Sequence, residues 1–156
     1  MGTRLKLDTV PGAYQAMRGL QSFVDDSGLD HRLLELVKLR ASQINGCAFC
    51  IAMHVTEAHR LGEHELRLHL VRVWREAAIF SARERAALAL TEAVTELRDG
   101  DVPDSVYDAA RAQFSDAELS ALVYGIVAIN SWNRLCITFR APPVVPRELI
   151  QHEHTG

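Results

Sequence analysis

The stretch Glu35–His54 reads "ELVKLRASQINGCAFCIAMH". Asn45-Gly46 in its middle is a break in any regular element. Before the break, Leu33, Leu34, Val37, Ala41 and Ile44 recur on one side of a predicted helix, and Asp30 stands at its N-cap position. After the break, a second helix is predicted to start near Cys47 and run to Arg60, with Gly62 as its stop. Two helices joined by a tight turn thus carry Glu35, Cys47, Cys50 and His54 within twenty residues.

Successive residues on the second helix advance by about 100°. Relative to Cys47, Cys50 then falls at about 300° and His54 at about 340°, so the three side chains share one face. In the first turn of a helix, free N–H groups and the positive dipole end lower a thiol pKa. Two cysteines three apart can close a disulfide, one attacking and the other resolving. His54 can take a proton from Cys50 one turn away, directly or through water.

Other readings stay open at this point. Structural zinc takes four ligands. Cys47, Cys50 and His54 supply three, while His59 falls at about 120°, on the far side. Cys136, His152 and His154 are remote in sequence, and there is no second Cys-x-x-Cys. Inert core thiols are common because cysteine packs as a small hydrophobe. The aligned histidine and the helix-start position argue against them. A static disulfide is disfavoured in a reducing compartment.

The rest of the chain also reads as helix. Tyr14, Met17, Leu20 and Val24 form a stripe after Pro11, a residue suited to a first helical turn. "EHELRLHLVRVW" is short and fits both periods, and helix is the reading adopted. Ser81 with Glu84, and Ser115 with Glu118, are capping boxes ahead of two more helices. Pro103 opens another, expected to reach about Phe114. The helix behind Ser115 is apolar almost all round from Leu119 to Ile129, so burial on most sides is expected. "QHEHTG" at the end reads as a frayed tail. The expected fold is all-α, with about seven helices.

With 156 residues, the expectation is one domain spanning 1–156, with a core at about 10–142 and a tail at 143–156. At 48% hydrophobic and 24% charged residues, the chain can bury a substantial core. A net charge of −3 with no Lys/Arg block argues against nucleic acid as a partner. No stretch reaches the roughly 18 uncharged apolar residues of a membrane helix. The start, "MGTRLKLDTV", has no signal-peptide pattern, and a cytoplasmic location is expected.

The spacing Glu35, Cys47, Cys50, His54 (E-x11-C-x2-C-x3-H) resembles the core of the AhpD-like alkylhydroperoxidases, within the wider carboxymuconolactone decarboxylase-like superfamily. "ERAALALTEAVTEL" and "NSWNR" look like smaller members of that group. The resemblance covers roughly residues 10–142. It implies an all-helical fold, homotrimers or homohexamers, and a thiol peroxidase or disulfide reductase. It assigns Cys50, Cys47, His54 and Glu35 to a redox centre and proton relay, with Cys50 the cysteine attacked by the hydroperoxide. The helix-dipole argument alone selects Cys47 instead. The reading calls for no cofactor, since nothing resembles a nicotinamide or flavin site. Electrons would come from a thiol reductant: a lipoyl protein, a thioredoxin-like protein or a small thiol. The rivals are a decarboxylase acting on a lactone acid, and a helical oligomer that only senses oxidants or binds zinc.

Asn130, Trp132, Asn133 and Arg134 end the very apolar helix. If buried, their polar groups need partners, and a structural role is the reading adopted. Cys136 reads as a packing cysteine. His31, His59, His64 and His69 read as surface residues, and Ser42 has no Ser/His/Asp setting.

Overall fold

The computed structural model describes residues 2–150, and among them every regular element is a helix. The order is α1 (Pro11–Asp25), α2 (His31–Asn45), α3 (Ala48–Arg60), α4 (Glu65–Leu70), α5 (Ala82–Glu96), α6 (Asp104–Arg111) and α7 (Asp116–Phe139). Short 3-10 turns lie at Val71–Val73, Arg98–Gly100 and Arg147–Leu149. The all-α expectation of about seven helices holds. The predicted tail "QHEHTG", with His152 and His154, lies outside the described residues. No helix among the described residues is long and apolar enough to cross a membrane.

The α2 helix is the axis of the molecule, packing against α3, α5 and α7. Every residue from Leu33 to Leu39 on it is buried, Glu35 and Lys38 included. Two separate cores explain this. Leu33, Leu34 and Val37 face one with Val24, Leu122 and Ile126. Leu36 and Leu39 face the other with Ala58, Trp74 and Leu88. Each of the Leu, Val and Ile side chains contributes about 1.5–3 kcal/mol when withdrawn from water. The α1 helix approaches α7 closely at Gly125, where a Cβ would stand 3.2 Å from Val24 Cγ1.

Local chemistry sets the ends of the helices. The Asp30 side chain accepts from the Leu33 N–H at 2.9 Å, as an N-cap does. Both capping boxes form, at Ser81/Glu84 and at Ser115/Glu118. Gly46 closes α2 in the left-handed region, at φ 71°. That residue turns the chain from α2 into α3. Gly46→Ala is expected to lower stability by about 1–2 kcal/mol, the cost of placing an L side chain at that φ. No atom lies near enough to obstruct the added methyl, so the effect comes from the backbone alone. A lower urea midpoint with an unchanged slope is the measurement that checks it.

Three expectations are refined. Cys47 is not inside the first turn; it is the N-cap of α3, and its Sγ accepts from the Cys50 N–H at 3.3 Å. The α6 helix stops at Arg111 rather than near Phe114, because its last bonds tighten: Gln113 and Phe114 both donate to the Ala110 carbonyl. The α7 helix is buried on most sides but not all. Tyr124 and Val127 stay half exposed, and Tyr124 meets Phe23 of α1 edge to face.

Candidate active site

Cys47 and Cys50 occupy the start of α3 because Gly46 ends α2 directly before them. One helical turn separates them, their Cα atoms are 5.3 Å apart, and their sulfurs are paired as a disulfide. Both are buried among Ala41, Ile129 and Cys136. His54 follows one turn beyond Cys50 and is buried as well.

Glu35 comes from α2, antecedent to the turn. Its Oε2 lies 2.7 Å from His54 Nδ1, and its Oε1 accepts from Lys38 Nζ at 3.0 Å. Lys38 Nζ also reaches Asp25 Oδ1 at 3.3 Å, and Gln21 Nε2 donates to the same oxygen at 2.9 Å. A relay of polar contacts, buried at Lys38, Glu35 and His54 and part-exposed at Asp25, therefore runs from α1 through α2 to α3. Burial alone would push the Glu35 carboxyl up. The hydrogen bond with His54, with the attraction of His54 and Lys38, outweighs this and holds it below its ordinary value. Glu35 occupies Nδ1 of His54, while His54 Nε2 is buried with no hydrogen-bond partner.

A cavity of about 490 Å³ opens beside this relay. Glu35, Lys38, Cys50 and His54 line it on one side. Leu7, Tyr14, Phe49, Met53, Leu61 and Trp132 supply an apolar wall. Cys50 is part of the lining and Cys47 is not, so the two thiols are unequal towards anything in the cavity. All four residues singled out in the sequence are thus brought to one place, with Cys47 behind Cys50.

Residues 10–93 match the carboxymuconolactone decarboxylase family. The chain belongs to that family. It is 37% identical to the uncharacterized protein YdfG of Bacillus subtilis over 130 residues, covering 83% of this chain and 88% of that one. The crystal structure of an Agrobacterium tumefaciens protein of unknown function, named for antioxidant defence as AhpD, is similar at a TM-score of 0.89. That pair is 42% identical, over 93% of this chain and all of the other. An uncharacterized peroxidase-related protein from Silicibacter shares the fold at a TM-score of 0.77, over 86% of this chain and 72% of its own. At 18% identity that likeness concerns the fold alone. AhpD-like architecture and superfamily membership, expected from the motif spacing, are therefore established.

Sequence reasoning missed two residues that the structure brings beside this candidate site. Lys38 binds Glu35 from one turn along α2; the spacing of three was visible, but its burial was not. Cys136, read as a packing cysteine, stands with its Sγ in a group with those of Cys47 and Cys50, all within 4.8 Å of one another. The zinc alternative named His54 as third ligand; the sulfur cluster has Cys136 instead. Cys136 lies on the α7 stripe Ile129, Asn133, Cys136, a period that signals burial but not which helix is faced.

The asparagines of the "NSWNR" group find their partners in the helix packing, as the structural reading expects. Asn45 Nδ2 donates to Asn130 Oδ1 and to Asn133 Oδ1, each at 2.9 Å. Asn133 Nδ2 donates to Ser42 Oγ at 3.0 Å, and Asn130 Nδ2 to Thr95 Oγ1 at 2.9 Å. These bonds clamp α2, α5 and α7 and leave Glu35 to other partners. Arg134 is exposed and folds back onto Asn130. Trp132 alone of the group lines the cavity, edge-on to Tyr14.

Proposed function

We propose that this chain is a thiol-dependent hydroperoxidase working through a Cys47/Cys50 dithiol–disulfide cycle. The observation that carries the reading is the placement of Cys50, His54 and Glu35 on one cavity with Cys47 directly behind Cys50. The Cys50 thiolate attacks one oxygen of the hydroperoxide, the O–O bond breaks, and Cys50 becomes a sulfenic acid. The leaving alkoxide takes a proton from His54 Nε2, the ring nitrogen with no protein partner. Glu35 on Nδ1 fixes the ring, and the His54 hydrogen bond together with Lys38 holds Glu35 in its ionised form. The Cys47 thiol then condenses with the sulfenic acid, giving the disulfide and water. Two equivalents of an external thiol restore the dithiol and leave as a disulfide.

Access favours Cys50 as the attacked residue. The helix-dipole argument favours Cys47, but Cys47 is not in the cavity lining and Cys50 is, and this access supports Cys50. The cycle requires a lipoyl protein, thioredoxin-like protein or small thiol as reductant, and a reducing compartment such as the cytoplasm. The decarboxylase chemistry does not need a paired dithiol, so the intact Cys47/Cys50 pair counts against that reading.

The test is peroxide consumption by the purified protein with a panel of thiol reductants. Turnover that depends on both enzyme and reductant is expected; loss of peroxide at the uncatalysed rate with every reductant overturns the reading. We also propose that the chain is a homotrimer or homohexamer assembled on exposed apolar faces, among them Phe23, Tyr124 and Val127. Sedimentation at micromolar concentration is expected to give three or six times 17.4 kDa. A stable 17.4 kDa species overturns that assembly.

A further inference from the structure

Cys136 is buried, free, and on a different helix from the cysteine pair. Its sulfur stands within 4.8 Å of those of Cys47 and Cys50. It also lines the same cavity as Cys50, which Cys47 does not. Three thiols therefore meet where the sequence suggests two. From this geometry we infer that Cys136 is a second resolving thiol, able to condense with oxidised Cys50 in place of Cys47.

The inference rests on the hydroperoxidase reading and extends it. Its step balances without any further reagent. Hydroperoxide converts the Cys50 thiolate to a sulfenic acid and itself to an alcohol. The Cys136 S–H then attacks the Cys50 sulfur; its proton and the sulfenic hydroxyl leave together as water, and a Cys50–Cys136 disulfide remains. Both sulfurs need to close from at most 4.8 Å to the roughly 2.05 Å of a disulfide. Cys47 is favoured in ordinary turnover for two reasons. It is one helical turn from Cys50 on the same element, and Cys136 is held as a neutral thiol, its pKa pushed up to about 11 by burial. Cys136 acts when Cys47 is already engaged or absent.

The experiment uses the reduced full chain and three variants: Cys47→Ser, Cys136→Ser and the double variant. Each receives one equivalent of cumene hydroperoxide with a dimedone-type sulfenic-acid probe, followed by peptide mass spectrometry. Cys47→Ser is expected to yield the Cys50–Cys136 disulfide and little probe adduct. The double variant is expected to yield the adduct at Cys50 in full, and Cys136→Ser the Cys47–Cys50 disulfide alone. An adduct at Cys50 in Cys47→Ser, equal to that in the double variant, overturns the inference. Wild-type protein with no oxidised cysteine after peroxide treatment defeats the hydroperoxidase reading instead. In that case diamide, which oxidises two neighbouring thiols and is itself reduced to the hydrazine, replaces peroxide. Cross-linking of Cys50 to Cys136 by diamide in Cys47→Ser then upholds the pairing, and its failure overturns it. Circular dichroism matching the wild type excludes a folding defect in any variant, and Cys47→Ala serves should the serine be poorly tolerated.

Discussion

Cys50→Ser is expected to abolish hydroperoxide turnover, reducing it to the uncatalysed background. A serine hydroxyl does not ionise near neutral pH, so no thiolate faces the cavity to attack the O–O bond; Cys136, which also lines it, is held as a neutral thiol by burial. Cys47 cannot take over, because its sulfur lies behind Cys50 and outside the cavity lining. The substitution is nearly isosteric at a buried position, so the fold is expected to survive. Steady-state peroxide consumption is the measurement, with sulfenic-acid labelling as its companion. If label accumulates on Cys47 in Cys50→Ser while Cys50 stays unmodified in Cys47→Ser, the roles are exchanged and the N-cap dipole outweighs access.

Glu35→Ala is expected to slow turnover by about 10²- to 10⁴-fold, the usual worth of positioned acid–base help. The ring of His54 loses the partner on Nδ1 that holds its orientation. Stability falls with it. Removing one member of a buried charge pair costs about 3–5 kcal/mol, because the other is left unpaired. Lys38 keeps Asp25 at 3.3 Å, so the lower end of that range is expected. Disulfide formation by a strong oxidant persists, since both thiols remain.

The same carboxylate makes a pH prediction. Its folded pKa lies below the ordinary 4.5, so folding favours the ionised form. The stabilisation is complete above about pH 4.5 and is lost as the pH falls through the lowered folded value. Thermal melts of wild type and Glu35→Gln between pH 7 and pH 3 are the check. The gap in Tm is expected to be constant near neutrality and to shrink on the acid side. A gap that widens towards acid contradicts the assignment.

The helices were legible in the sequence because their signals are local. Asp30 as a cap, Gly46 as a stop and the two capping boxes each act within four residues, and the apolar stripes follow a 3.6-residue period. The shared face of Cys47, Cys50 and His54 is likewise a property of one helix. Glu35 was legible only through its spacing to the cysteines; alone it reads as an ordinary helix charge. Burial of that carboxylate, its bond to His54 and its pairing with Lys38 arise where α2 packs against α3, and no local pattern encodes that contact. Which cysteine faces the cavity is decided in the same way. The sequence puts Cys47 in the stronger helix-end field, but packing turns Cys50 towards the opening. Cys136 shows the limit most plainly. Its place on the α7 stripe follows from periodicity, which determines that it is buried. That it is buried against the other two sulfurs is set by how α7 lies over the α2–α3 turn, a contact between residues 86 positions apart from Cys50 that exists only once the helices have packed.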